Sequence, residues 1–371
     1  MTDLAARLSR LEQWRAARWR DDDLYKKLPL IGERNLVEPT VVSILRYFLR
    51  PGDVAFDIGS QAGHVVQAMS GLVGPKGLVV AFEASVRTAR KLLINITDAN
   101  LRNVELVHSA VCDTGGQRLK LFLHNSQNND SLFPKDVSSN SAFSENRYVY
   151  VDTIAIDDYC EKWQIIPRLL KLDIEGAEFD ALRGARRLLE RHRPVLIIED
   201  LDNDPRCFDL LASVGYRCFD LITLKPLTRE DRLSSREANF LFVHKDESLP
   251  PIFAKEWIEE CEITSQQLIA ADRPGLRVSA PLKIHRSTRY VLTWNFDSST
   301  SFDEVNAVIG AIDYRNDMLV RYQASLGLLK SHYTKMPLES DLDDQIRVFI
   351  FSERVSEKMV NSITLSRLDC R

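Results

Sequence analysis

The sharpest chemical signal in the 371-residue sequence is Asp57-Ile-Gly59-Ser60-Gln-Ala-Gly63, an acid and two glycines set where the apolar run VAFDI gives way to HVVQAMSGLV. Glycines at a strand-to-helix turn permit positive φ and let a ligand approach the backbone, and a helix start offers unpaired N–H groups. Such a turn suits a nucleotide cofactor. The next apolar run ends in Glu83, about 20 residues beyond the glycines, where Rossmann-like sites place a carboxylate on ribose hydroxyls. The spacing departs from the GxGxxG of dinucleotide enzymes, whose glycines clear room for a pyrophosphate. An acid opens this turn, and no Lys or Arg follows within it. A carboxylate aimed at the ligand repels phosphate and suits a cation. S-adenosylmethionine, with its amino group and sulfonium, meets that charge logic better than NAD or ATP.

A second acidic group lies at Lys171-Leu-Asp173-Ile-Glu175-Gly-Ala-Glu178, and Glu199 closes the later run PVLIIE. Asp173 and Glu175 sit on a strand-to-helix turn, whereas Glu178 opens the helix and complements its dipole. Methyl transfer to an alcohol needs in-line positioning, exclusion of water and removal of the hydroxyl proton. Asp173 and Glu175, then Glu199, are the candidates for orienting the substrate or serving as base. His64 and His124 are alternative bases, since imidazole titrates near neutrality. Carboxylates at Asp173, Glu199 and Asp200 could meet a divalent cation, but no spacing signature supports a metal, and none is assigned.

The elements that must position these groups are legible from periodicity. From Val54 onward, short apolar runs alternate with amphipathic helical patterns: VAFDIG, LVVAFEA, VELVHSAV, LLKLDIEG and PVLIIED, with helices between. Unalternating runs suit strands buried on both faces, so the expected fold is α/β, a Rossmann-like, doubly wound, mainly parallel sheet. Ligands of such sheets bind outside the carboxyl ends of the strands, where the strand order reverses. Between the third and fourth core strands, residues 117–159 insert two alternating strand patterns around a Ser/Asn-rich loop, Asn125–Ser131, a candidate lid or substrate wall.

Before this region, Leu4, Leu8, Leu11 and Trp14 form a helical stripe, and Val41, Ile44, Leu45, Phe48 and Leu49 form another that stops at Pro51-Gly52. After Ser248-Leu-Pro-Pro251 the pattern changes to LRVSAPLKI, RYVLTWNFD, MLVRYQASL, QIRVFIFSE and SITLSRL, which read as strands of a β-sandwich-like domain. Its aromatics Tyr290, Trp294, Phe296, Tyr314 and Tyr322 either stack on sugars or fill a core, and alternate placement favours the core. The expected organisation is a helical segment at 1–50, a cofactor domain at 51–248 and a β-rich domain at 249–371.

Hydrophobic residues at 44%, charged residues at 27% and a net charge of -4 describe a folding, water-soluble chain without a global basic field, which argues against nucleic-acid binding. The six scattered cysteines form no CxxC pair. Neither a signal-peptide pattern nor a run of about 20 apolar residues occurs, so no membrane span is expected and the cytoplasm is the expected location.

The sequence resembles the FkbM-type family of S-adenosylmethionine-dependent methyltransferases through DIGSQAGH (57–64), VVAFEAS (79–85), NITDANLRNVELVHSAVCD (95–113), VDTIAIDDY (151–159), KLDIEGAEFDALRGARRLLERHRPVLIIE (171–199) and VGYRCF (214–219). The resemblance spans about residues 50–245, and the KLDIEGAE run is its specific part. Ser60-Gln61 stand where the family usually has Ala-Asn. The resemblance implies that Asp57, Gly59, Ser60 and Gly63 surround the methionine part of S-adenosyl-L-methionine, that Glu83 meets its ribose, and that Ser109 and Ala110 lie at its adenine. The expected function is methylation, O-directed, of a hydroxyl on a sugar, glycan precursor or polyketide-like metabolite. The alternative is a non-catalytic cofactor- or glycan-binding protein; an NAD oxidoreductase is disfavoured by the missing GxGxxG. The expected partners are that small-molecule or glycan acceptor and, through the N-terminal helix, a second copy of the chain.

Overall fold

The computed structural model describes residues 39–124, 130–133, 147–199, 204–235, 239–255, 257–270, 276–279, 282–284, 289–296, 307–313, 322–325, 333–339, 344–352 and 360–368. The chain divides into two compact units, one of Thr40–Ala254 and one that includes Lys255–Arg371. The N-terminal stripe at Leu4–Trp14 and Asn125–Asn129 of the Ser/Asn-rich loop lie outside the described residues.

The first unit opens with α1 (Pro39–Phe48), whose Val41, Ile44, Leu45 and Phe48 are buried as the helical spacing requires. Then come β1 (Val54–Ile58), α2 (His64–Val73), β2 (Leu78–Phe82), α3 (Val86–Asp98) and β3 (Val104–Val107). Next come β4 (Ala110–Val111) and, from the insertion, β5 (Arg118–Phe122) and β6 (Tyr148–Ile154), and the core resumes with α4 (Ile156–Trp163), β7 (Leu169–Leu172), α5 (Glu178–Arg183), α6 (Arg186–Arg191) and β8 (Val195–Glu199). The unit closes with α7 (Pro205–Ser213), β9 (Tyr216–Asp220), β10 (Pro226–Leu227), α8 (Arg229–Ser234) and β11 (Asn239–His244). Local chemistry starts the late helices: Asp204 caps α7 ahead of Pro205, and Thr228 with Asp231 forms a reciprocal capping box on α8.

The main sheet has the order β10-β9-β11-β8-β7-β1-β2-β3. β3, β2, β1, β7 and β8 run parallel, and β11 runs against β8 and β9. The order reverses between β1 and β7, which makes their carboxyl ends the switch point of a doubly wound α/β sheet. Burial on both sides explains the apolar runs. Phe56, Ile58, Val80, Phe82, Leu170 and Leu172 point to one face, where they pack with Tyr159 of α4 and with residues of α5, α6 and α7. The insertion's strands join β4 in a separate small sheet in the order β4-β6-β5. Its Leu121 and Val151 pack with Ala110, Leu132 and Ala177 at the switch-point end of the core.

The second unit contains β12 (Trp257–Thr264), β13 (Ile269–Ala270), β14 (Leu276–Val278), β15 (Leu282–Ile284), β16 (Arg289–Phe296), β17 (Ala307–Asp313), β18 (Tyr322–Ser325), β19 (Tyr333–Glu339), β20 (Asp344–Ser352) and β21 (Val360–Leu368). They form two antiparallel sheets, β12-β21-β16-β19 and β13-β14-β20-β17-β18, with β15 also on β20. Sequence reading missed β12, β17 and β19, whose charged, glycine- or proline-bearing stretches hide the alternation. Tyr290, Leu292, Trp294 and Phe296 alternate into the buried side of β16, so these aromatics are core and not an exposed sugar-stacking face. The five described cysteines are free. Among the described residues no helix is long and apolar enough to cross a membrane.

Phe56, Phe82 and Tyr159 meet edge to face with centroids 5.3, 5.9 and 5.1 Å apart. Phe56→Ala removes the ring at the centre of this fully buried trio and is expected to destabilise the first unit by about 3–5 kcal/mol. A lowered urea midpoint in chemical denaturation checks it.

Candidate active site

The two turns at the switch point are built to touch. Gly59 leaves β1 with φ +85°, and a Cβ there would stand 1.7 Å from the carbonyl oxygen of Asp173, so only glycine fits. Its N–H and that of Ser60 both donate to the carbonyl of Phe82, which ties the turn to the end of β2. Ser60 Oγ donates to the carbonyl of Asp57. Gly63, at φ +88°, starts α2 without a side-chain cap.

Above these turns opens a crevice. Of the residues expected at the cofactor, Gly59, Glu83, Ser109 and Ala110 line it, while Asp57, Ser60 and Gly63 do not. Asp173 and Glu175 form the opposite wall. Glu199 is not among the lining residues, but its carboxylate lies close to those of Asp173 and Glu175. Neither His64 nor His124 lines the crevice. Glu83 is engaged by backbone: Oε2 accepts from Gln61 N–H at 2.9 Å and Oε1 from Ser85 N–H at 2.8 Å, which leaves each oxygen a further lone pair for hydroxyls.

Sequence reading missed the far side of the crevice. Asp130 and Leu132, together with Gln61, Ser85 and Thr88, line it as well. Residues 130–133 form a strap: Asp130 pairs with Arg87 of α3 at 2.8 Å, Ser131 Oγ donates to the carbonyl of Glu175 at 2.6 Å, and Ser131 bridges Phe122. Only the density of polar groups in the inserted loop hinted at this. Glu178, expected to complement the α5 dipole, also accepts from the N–H groups of Ile174 and Gly176 and so staples the Asp173–Ala177 turn. That turn carries Glu175 at φ +54°.

Strand register gathers the charge. Asp57 pairs with Lys171, and Lys171 with Ile197, so Asp57, Lys171 and, two residues past Ile197, Glu199 share one face of the sheet. Asn239 of β11, the register partner of Glu199, extends that row. Lys171 Nζ donates to Asp173 Oδ2 at 2.7 Å, both groups being buried. Oxygens of Asp173, Glu175 and Glu199 lie within 4.8 Å of one another, a spacing a divalent cation could bridge; here Asp173 is met by the Lys171 ammonium and by Glu199. Burial pushes Asp57 up to about 6 against the attraction of Lys171, and pushes Glu83 to about 7. Burial, with the adjacent Asp173 charge, raises Glu199 far above the carboxylate range. Asp57 Oδ1 is buried and finds no hydrogen-bond partner among the described residues.

These shifts set a pH dependence of opposite sign to the usual carboxylate one. Asp57 is ionised above its ordinary value of 3.8 in the unfolded chain but only above about 6 in the folded one, so folding binds a proton between those values and its contribution falls as pH rises through that window. Asp57→Asn lacks this loss. In the ligand-free protein its melting temperature is expected to drop less than the wild type's between about pH 4.5 and pH 7, as differential scanning calorimetry would show.

Comparison with known proteins places this site in a family. The Methyltransferase FkbM domain model matches residues 57–218. No curated protein matches the chain. Among solved structures, the methyltransferase FkbM of Methylobacillus flagellatus KT is 19% identical with a TM-score of 0.33, covering 52% of this chain and 44% of that one. A SAM-dependent O-methyltransferase from Thermotoga maritima is 14% identical with a TM-score of 0.36, covering 59% and 69%. Aeropyrum pernix fibrillarin in complex with natively bound S-adenosyl-L-methionine is 15% identical with a TM-score of 0.32, covering 55% and 76%. Likenesses so distant say nothing of the acceptor. With its glycine turn and its acidic floor, the central part of this chain matches a Methyltransferase FkbM domain over residues 57–218.

Proposed function

We propose that the protein transfers the methyl group of S-adenosylmethionine to a hydroxyl of a sugar, glycan precursor or polyketide-like metabolite. The observation that carries the donor half of this reading is the buried, unpartnered Oδ1 of Asp57, next in the chain to the crevice-lining Ile58 and Gly59. A cationic amino group or sulfonium supplies what that oxygen lacks. Asp57, Gly59, Ser60 and Gly63 would hold the methionine part, Glu83 the ribose and Ser109-Ala110 the adenine. Gly59 supports this assignment, since a Cβ there would fill the cradle between the two turns.

When bound, S-adenosylmethionine supplies a methyl already activated by its sulfonium. The chain's own task is then to align the acceptor, exclude water and take one proton. Asp173 and Glu175 stand on the crevice wall opposite Glu83, where a hydroxyl donating to a carboxylate is oriented for attack. That carboxylate would take the hydroxyl proton. Asp173 is favoured, because its Oδ2 receives the buried Lys171 ammonium and its carboxylate stands close to that of Glu199. Glu199 is then a neighbouring acid that orients the base.

Asp57→Ala and Glu83→Ala are each expected to weaken S-adenosylmethionine binding about tenfold or more in calorimetric titrations. Unchanged titrations in both would remove the donor assignment. With methyl-labelled donor and a small-molecule cell extract, wild-type protein is expected to place label in base-stable methyl ethers, and Asp173→Asn to reduce that transfer about 100-fold. Label found only in amines or base-labile esters would overturn the O-directed reading, and absence of label would favour a protein that binds without turnover.

A further inference from the structure

Lys171 is a lysine in the middle of a parallel strand whose other residues are leucines, and its side chain is only 2% exposed. Burying an ion pair such as Lys171–Asp173 adds little to stability, because desolvation offsets the attraction. Stability therefore does not account for the residue. Its surroundings do. Asp57 faces it from β1 and Glu199 from β8, Asp173 receives its Nζ from the turn after β7, Glu175 and Glu178 stand on that same turn, and Glu83 closes the end of β2. Buried carboxylates so close together take up protons unless a cation stands among them.

We propose that Lys171 is a positioning residue for the methyl donor: its ammonium keeps Asp57 and Asp173 as carboxylates on the two sides of the switch point, so that the donor's cationic end meets charge and not a protonated acid. The assignment rests on the reading that Asp57 faces the donor. It adds that a group which never touches the donor governs how tightly the donor is held, and at what pH. The attraction of Lys171 already acts on Asp57 in this sense, opposing the effect of burial.

The test is calorimetric titration of the full chain with S-adenosylmethionine from about pH 5 to 8, for wild type, Lys171→Met, Lys171→Arg and Asp57→Asn, with melting curves to confirm folding. Wild-type affinity is expected to fall below the midpoint near 6 set by Asp57. In Lys171→Met the midpoint moves up by about one pH unit or more, so that affinity near pH 6.5 drops about tenfold, while Lys171→Arg, which keeps the cation, retains the wild-type midpoint. A folded Lys171→Met with the wild-type profile overturns the proposal. Should the Met variant fail to fold, Lys171→Arg decides: a midpoint displaced by a full unit despite the retained cation overturns it, and an unmoved midpoint supports it. Asp57→Asn separates the two readings. A wild-type profile in that variant removes the donor assignment itself, whereas a flat, weakened profile alongside an unshifted Lys171→Met removes only the role given to Lys171.

Discussion

One buried cation among carboxylates organises the centre of this molecule. Lys171 occupies a position that an all-apolar parallel strand would give to Val or Ile, and parallel pairing sets it beside Asp57. An unpaired ammonium in that place would be intolerable, and so would the acids without it. The two requirements lock the carboxyl ends of β1, β7 and β8 into one electrostatic unit. That unit is still acidic: one lysine stands among Asp57, Asp173, Glu175 and Glu199. A site left with surplus negative charge and little water is suited to a ligand that brings a positive one, which is the chemistry of a sulfonium donor.

Geometry reinforces the charge. The close approach of Gly59 to the Asp173 carbonyl brings the donor turn and the wall opposite it within one residue's reach. Glu83 and Glu178 do a second job, since both spend lone pairs on backbone N–H groups and so hold the two turns rigid. The strap at 130–133 braces the crevice from the insertion side, anchored to α3 by Arg87 and to the Glu175 carbonyl by Ser131. Preorganisation of this kind matters in methyl transfer, where the enzyme's share of the work is alignment and exclusion of water.

Much of this was legible before any coordinates. The apolar runs announced a buried parallel sheet, and the glycine turn with Glu83 at the end of the next strand announced a cofactor crevice at its carboxyl edge. The carboxylates of the KLDIEGAE stretch and Glu199 were recognised as candidates, but their separate places were not: Asp173 and Glu175 line the crevice, whereas Glu199 does not. Asp130 escaped notice because it is brought to Arg87 by a chain reversal within the insertion, and such a pairing leaves no periodic trace. Lys171 escaped for the opposite reason. It was in plain view inside LLKL, yet a lysine in a strand says nothing until register shows which acids it meets.

The sequence by itself determined the class of fold, the glycine turn and the acidic character of the residues around it, because hydrophobic period, glycine placement and acidic residue type are local properties of the chain. Which carboxylate faces the crevice, which one shares a proton, and which cation stands between them were decided only by tertiary structure. Those answers depend on strand order and register, which set residues 114 positions apart, Asp57 and Lys171, side by side. Proton affinity in turn depends on burial and on neighbours at a few ångströms, quantities that exist only once the sheet has closed.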